Sequence, residues 1–519
     1  MRCSHWPKAR RFRRRPSSLA ASGLSSVSSI GSAQMKRRST TRFGRRRARS
    51  FRRSRSEKSS TSTFSSFAPR RPPTKPYAST NFKPRMAAAK SSRLPELPTE
   101  SRTLGTCLRV RLVPLNPLQA ATASFFVRVG SRYETARTNG LSHFLEHMLY
   151  RGTAVHPAAN ELNLAIERLG GTLDAATHVD FTSYFLSLPP EAIAKGVELL
   201  AEVLQQPLLT ELRTEKQIIR EEILEDLNEE GEQINVDNVS RRLLYPDHPL
   251  GFTILGPLDN LDGFETEDLR RHHSSHYNAC NSVLCVTGAF DAGEIEQTIR
   301  SSFDGMPNGS TIEPRRAPSK SELQRFTYVA EHGSQTDVRL SFHTPGVASS
   351  EAPALLLLDR VLDDGLSTRV HQTVCEERGL AYEAFAGNDS LEDCGVFDFG
   401  ASVEHGKSPY LVETMFELIG ELRRNPPTDE EVDKAKRRYL WDLRTARDDP
   451  EDAAHFIGSS ALLGLPERVG TVANRVAQVT PQDIQHAAQR YLDPKDAYLT
   501  CVGVLDEALL SDLRGLARN

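Results

Sequence analysis

The sequence predicts an α+β fold: two homologous α/β-sandwich domains, each a mostly antiparallel sheet packed with helices, preceded by a disordered basic tail. Three observations carry that prediction. At about 150 residues per domain, 519 residues give about three units. Charge divides the chain sharply into a basic start and an acidic remainder. Two segments also look alike, TEDLRRHHSSHYNACNSVLCVTGAFD from Thr266 and TPQDIQHAAQRYLDPKDAYLTCVGVLD from Thr480. Each reads as a helix, a break, an apolar strand and a Gly-containing turn ending in Asp. A period this long indicates duplicated domains, because solenoid units run about 20 to 50 residues.

In chain order, residues 1–95 come first, with 26 Lys/Arg against the single acid Glu57; the remainder holds 40 basic and 66 acidic residues. Runs such as RFRRRPSS and RRARSFRRSRSEKSS offer too little apolar surface to offset the entropy of folding, so residues 1–95 are expected to be disordered. Three readings of this tail stay open: upstream residues before a true start at Met86, giving a cytoplasmic body; an Arg/Ser-rich transit peptide for a mitochondrion or other organelle; and an RNA-binding arm. The acidic body argues against nucleic acid as a partner except through the tail. No apolar run approaches the roughly 18 residues of a membrane span, so no membrane partner is expected. Seven cysteines, at 3, 107, 280, 285, 375, 394 and 501, form no CxxC pair, and all seven read as packing residues in a reducing compartment.

The body divides into domains over 100–310 and 325–519, joined by a linker at 311–324 inside a Gly/Pro/Ser-dense stretch. Each half opens with β-branched and aromatic alternation, TASFFVRVGSRYE and FTYVAEHGSQTDVRLSFHTPG, before helical stretches such as EAIAKGVELLAEVLQQP and APALLLLDRVLDD. The segment RLGGTLDAATHVDFTSYFLSLP reads as a Gly-Gly turn, a strand from Thr172 to Thr177 and a second around Thr182 to Leu188. An exposed edge strand there can bind a peptide by backbone hydrogen bonds.

NGLSHFLEHMLYRGT places His143, Glu146 and His147 on one helix. Residues four apart share a face, so both imidazoles can reach one metal ion with Glu146 beside them. A catalytic zinc needs a third protein ligand, and ELRTEKQIIREEILEDLNEE offers one. Glu215 and Glu222 lie about 20 degrees apart at 100 degrees per residue, on the side of Ile218 and Ile219, within a stripe completed by Ile223 and Leu224. Either carboxylate can be the third ligand on this reading. The other histidine pair, His272 and His276, has no inward carboxylate and reads as a solvated helix face.

These residues carry a resemblance. GSRYETARTNGLSHFLEHMLYRGT, with Glu222 in EKQIIREEILED 75 residues after His147, resembles the inverted-motif zinc metallopeptidases of the pitrilysin/insulinase family, with the chain length of its two-domain, processing-peptidase-like branch. The resemblance implies one Zn2+ per chain held by His143, His147 and Glu222, Glu146 as general base and Glu215 as a supporting catalytic acid. The second half lacks HxxEH; its DDGLSTRVHQTVCEERGLAYEAFA resembles the substrate-binding Arg/Tyr pair, here Arg369 and Tyr382, although Tyr382 alone reads as a core aromatic. In the strand at Thr172 the family usually has Asn then Ala for substrate; this chain has Asp174 and Ala175, and the added charge bears on substrate preference.

The implied function is zinc-dependent endopeptidase activity on oligopeptides or unfolded, presequence-like segments. Family members close two such chains, or one double-length chain, around their substrates, which for a two-domain chain implies a homodimer or a heterodimer with a related subunit. The alternative is a non-catalytic scaffold or partner-dependent subunit, as in relatives that have lost the zinc residues.

Overall fold

The computed structural model describes residues 94–318 and 324–518. The expected tail therefore lies almost wholly outside the described residues, as does Cys3.

The first sheet has six strands: β1 (Glu100–Thr103), β2 (Arg109–Pro114), β3 (Ala121–Val127), β4 (Thr172–Thr177), β5 (Thr182–Leu188) and β6 (Ser282–Gly288), in the order β1-β2-β6-β3-β5-β4. The second has five: β7 (Phe326–Ala330), β8 (Thr336–Pro345), β9 (Ala384–Ser390), β10 (Cys394–Val403) and β11 (Tyr498–Gly503), in the order β7-β11-β8-β10-β9. Apart from β1 the orders correspond strand for strand. In each sheet the last strand in sequence lies parallel to one neighbour, β6 to β2 and β11 to β7, and antiparallel to the other, β3 or β8. β6 and β11 both end on glycine, with φ of 105° and 153°. A Cβ at Gly288 would come 2.4 Å from the Ala120 carbonyl oxygen, and one at Gly503 would come 2.6 Å from Thr336 Oγ1, so both turns require glycine.

Among the described residues, eight helices belong to the first half: α1 (Leu141–Leu149), α2 (Ala159–Arg168), α3 (Ile193–Gln205), α4 (Leu212–Leu224), α5 (Val236–Leu244), α6 (Leu258–Gly263), α7 (Thr266–His276) and α8 (Ala292–Phe303). Seven follow in the second: α9 (Ala352–Leu362), α10 (Ser408–Arg424), α11 (Asp429–Thr445), α12 (Pro450–Leu463), α13 (Val469–Gln478), α14 (Pro481–Tyr491) and α15 (Glu507–Leu516). The capping chemistry is legible: Thr428 and Thr480 each accept from an N3 amide while Glu431 and Asp483 reach back, a capping box at the start of α11 and of α14.

The halves exchange a helix. α5 lies on the second sheet, where Ser240 Oγ meets Ser341 Oγ at 2.8 Å and Arg241 reaches Asp389 and Asp398 at 3.0 and 3.2 Å. α12 lies in turn on β3 and β6, and its Ile457 and Leu462 share one core with Phe126, Val283 and Cys285. Gly458 makes this fit possible, because a Cβ there would come 2.0 Å from the Phe126 ring. Buried arginines tie the β9–β10 hairpin to the first half: Arg128 meets Glu392 at 2.9 Å, and Arg132 bridges Asp180 at 3.0 Å to Asp393. Each apolar sheet face is thus covered partly by the other half, which joins their stabilities.

One cysteine expectation fails. Cys107 and Cys280 form a disulfide, Cα to Cα 5.2 Å, while Cys285, Cys375, Cys394 and Cys501 are free. The partners lie 173 residues apart, and only the folding of the β1–β2 turn against the segment after α7 brings them together. Among the described residues no helix is long and apolar enough to cross a membrane.

Candidate metal centre

α1 is a nine-residue helix set deep in the first half, with Phe144, Leu145, Met148 and Leu149 fully buried. Gly140, at φ 98°, supplies no side-chain cap; the missing acceptor comes from Glu134. Its buried carboxylate takes the Ser142 amide at 2.7 Å, the Gly140 amide at 2.9 Å and Asn139 Nδ2 at 3.0 Å. A carboxylate here satisfies orphan amides and complements the positive end of the helix dipole, while burial pushes its pKa up. α1 packs against α4, α7 and β4; α4 brings Glu215 and Glu222 to it and β4 brings Thr177.

His143 and His147 turn inward on consecutive turns, 7 % and 8 % exposed, with their Nε2 atoms 3.2 Å apart. Glu222 Oε2, from α4, lies 3.8 Å from His143 Nε2 and 3.9 Å from His147 Nε2. Tetrahedral zinc with bonds of about 2.0 to 2.2 Å places its donors about 3.3 to 3.6 Å apart, so this triangle is of the right size. The donor chemistry agrees. His147 Nδ1 donates to Glu215 Oε1 at 2.7 Å, which leaves the Nε2 lone pair facing the acceptor oxygen of Glu222. Burial, then the neighbouring His147, holds the His143 pKa well below its ordinary value, so that imidazole is neutral and able to donate a lone pair. The residues present fit a zinc ion.

Glu215 is 3 % exposed and is fixed on its far oxygen by Arg151, just beyond α1. Its carboxylate thus joins the His147 imidazole to the Arg151 guanidinium. Glu146 turns to the strand side of α1, where Thr177, at the end of β4, donates its hydroxyl to Oε2 at 2.6 Å. Burial raises its pKa, while His147 and the Thr177 hydroxyl and amide oppose the shift.

The helical wheel of α4 needs one correction. Ile219 and Ile223 are buried, but Ile218 is 36 % exposed and Leu224 is 45 % exposed. Ile218 lies one turn before Glu222, so this side of α4 is less covered than the side of Ile219 and Ile223, and Glu215 is buried while Glu222 is half-buried. His272 also departs from expectation. It is buried against α1, with Nε2 3.0 Å from Ser142 Oγ, and is not part of a solvated face.

β4 is the outermost strand of its sheet, with Asp174 opposite Phe185 and Ala175 opposite Tyr184. Asp174 is exposed and Ala175 half-buried. Arg369 and Tyr382 stand in the second half. Arg369 gives Nε and Nη2 to Glu431 of α11 at 2.7 and 3.0 Å, while Tyr382 is 79 % exposed and so is no core aromatic. The residue patterns had not pointed to Glu134, Arg151 or Thr177. Arg151, four residues after His147, had a local signal; Glu134 meets α1 through the loop before it and Thr177 through the packing of β4 on α1.

Residues 109–258 match the family described as insulinase, peptidase family M16, and residues 263–439 match the peptidase M16 inactive domain. An uncharacterized zinc protease of Streptomyces coelicolor is 26 % identical over 422 residues, 79 % of this chain and 91 % of its own length. The zinc protease PqqE of Helicobacter pylori is 27 % identical over 419 residues, 78 % of this chain and 92 % of its own. Among solved structures, a protease from Helicobacter pylori superposes with a TM-score of 0.70 at 22 % identity, over 78 % of this chain and 99 % of that one. A peptidase M16 inactive domain from Pseudomonas fluorescens gives 0.73 at 18 %, over 79 % and 100 %. At these identities the structural likeness is one of fold.

Proposed function

Because this chain belongs to the insulinase family, peptidase family M16, we propose that it is a zinc-dependent endopeptidase acting on oligopeptides and unfolded segments. The observation that carries the proposal is the convergence of His143, His147 and Glu222 within one ion's reach, with Glu146 on the same helix. Zinc bound there supplies Lewis acidity, which lowers the pKa of water towards about 7 and polarises a peptide carbonyl. Glu146 takes the proton from the attacking water and returns it to the leaving amine. Glu215, held by Arg151, keeps His147 in the tautomer that presents Nε2. β4 offers its outer backbone to an extended peptide, with Asp174 and Ala175 beside it, so recognition depends little on side chains. Arg369 and Tyr382 would contact the far part of the substrate when two chains close, as a homodimer or with a related subunit.

The test is to purify the chain, count zinc, and assay quenched unstructured peptides with and without chelator beside Glu146→Gln. About one zinc per chain with chelator-sensitive, Glu146-dependent cleavage supports the proposal. Zinc without cleavage points to a partner-dependent subunit, and absence of zinc binding points to a scaffold.

A further inference from the structure

We propose that β9 is a latent peptide-docking edge, sealed by the chain's own Asp359 and Asp363, and that this pair confines extended substrates to β4. The inference rests on reading β4 as the strand that receives peptide. The two sheets end alike. β4 and β9 are the outermost strands, and their hairpins share a register: Thr177 faces Thr182 and Ser390 faces Gly395, each partner five residues on. Counting back two and four residues from each hairpin sets Ala175 and Leu173 of β4 in correspondence with Asn388 and Ala386 of β9.

Alternate residues of an edge strand turn their amides away from the sheet. In β4 the outward set is marked by Thr177, whose amide bonds Glu146, so Leu173 and Ala175 share its direction. Among the described residues nothing else takes those two amides. In β9 the matching amides are occupied: Ala386 N–H donates to Asp363 Oδ2 at 3.2 Å and Asn388 N–H to Asp359 Oδ2 at 3.4 Å. Both carboxylates come from the end of α9, which follows β8 as α1 follows β3.

A peptide strand adding at β9 would have to displace charge-assisted bonds and set its carbonyl oxygens against two carboxylates. The first half instead uses the corresponding space for the histidine helix and leaves its two amides to substrate. An extended segment is thereby kept off the half without HxxEH.

The test uses the full chain carrying Glu146→Gln and a fluorescein-labelled unstructured peptide. With Asp359 and Asp363 intact the titration should saturate at one peptide per chain; with D359A/D363A added it should saturate at two. Hydrogen exchange should show the Ala386 and Asn388 amides released at least about tenfold faster in that variant. If the double variant does not fold, D363S alone should release Ala386. Equal protection with and without the substitutions would overturn the seal, and so would one bound peptide despite released amides. A chain that binds no peptide in either form counts against the peptidase reading, and amide exchange still decides the seal.

Discussion

Glu215 accepts from His147 Nδ1 across 2.7 Å while Arg151 holds its other oxygen, so one buried carboxylate fixes the imidazole that faces His143 and Glu222. Such outer partners typically account for about 10- to 100-fold in metal affinity. Glu215→Gln, which keeps an acceptor and loses the charge, should weaken zinc binding by about that factor in a chelator competition. Arg151→Met should do the same and also lower the melting temperature, because it leaves the Glu215 carboxylate buried without its cation.

Glu146 lies beside the three donor atoms and is not one of them. Glu146→Gln should therefore bind zinc with unchanged stoichiometry and lose about 10²- to 10⁴-fold in turnover. His147→Ala should lose both. Metal analysis alongside a peptide assay separates the two, and an active Glu146→Gln chain would refute the base assignment.

Arg360 in α9 is buried and pairs with buried Asp442 of α11 at 2.7 Å and with Asp364 at 2.9 Å. α9 and α11 hold the same places in the second half that α1 and α4 hold in the first, and there an internal guanidinium supplies the cation. Arg360→Met would strand two carboxylates and should cost about 3 to 5 kcal/mol in urea denaturation. Arg360→Met with Asp442→Leu should recover part of that loss.

His178 follows β4, and His455 of α12 stacks on Phe185 with ring centroids 6.3 Å apart. Burial lowers both pKa values to about 4, with a further contribution to His178 from His455. Both are neutral when folded, and the unfolded chain takes up protons first as pH falls below about 6.5. Their contribution to stability is therefore complete above about pH 6.5 and declines towards pH 4, by at most about 1.4 kcal/mol per group per pH unit. Denaturation midpoints at pH 7.5 and 5 should show the decline, and His455→Phe should flatten it.

Local spacing made α1 legible, because an i, i+4 pair shares a face wherever a helix forms. The strands Thr172–Thr177 and Thr182–Leu188 were legible for a similar reason, since a Gly-Gly turn precedes alternating residues. The stripe on α4 was only partly legible, because periodicity gives a helix's sides and not which of them meets the core. The Cys107–Cys280 bond and the burial of His272 had no local signature, since each partner is reached through a distant segment.

Three features are written in the order of residues alone: the duplicated α+β plan, the HxxEH helix and a pair of carboxylates on one side of a later helix. The helix and the carboxylate pair are periodicities written within a few turns, and the duplication is a likeness between the segments at Thr266 and Thr480. The residue pattern left Glu215 and Glu222 equivalent, and the packing of α4 separates them, with Glu222 facing both histidines and Glu215 bonded to His147 Nδ1. Tertiary structure likewise decided that α5 and α12 are exchanged and that β9 is sealed while β4 stays open. Those outcomes depend on how residues far apart in the chain pack against one another, and no local propensity records that.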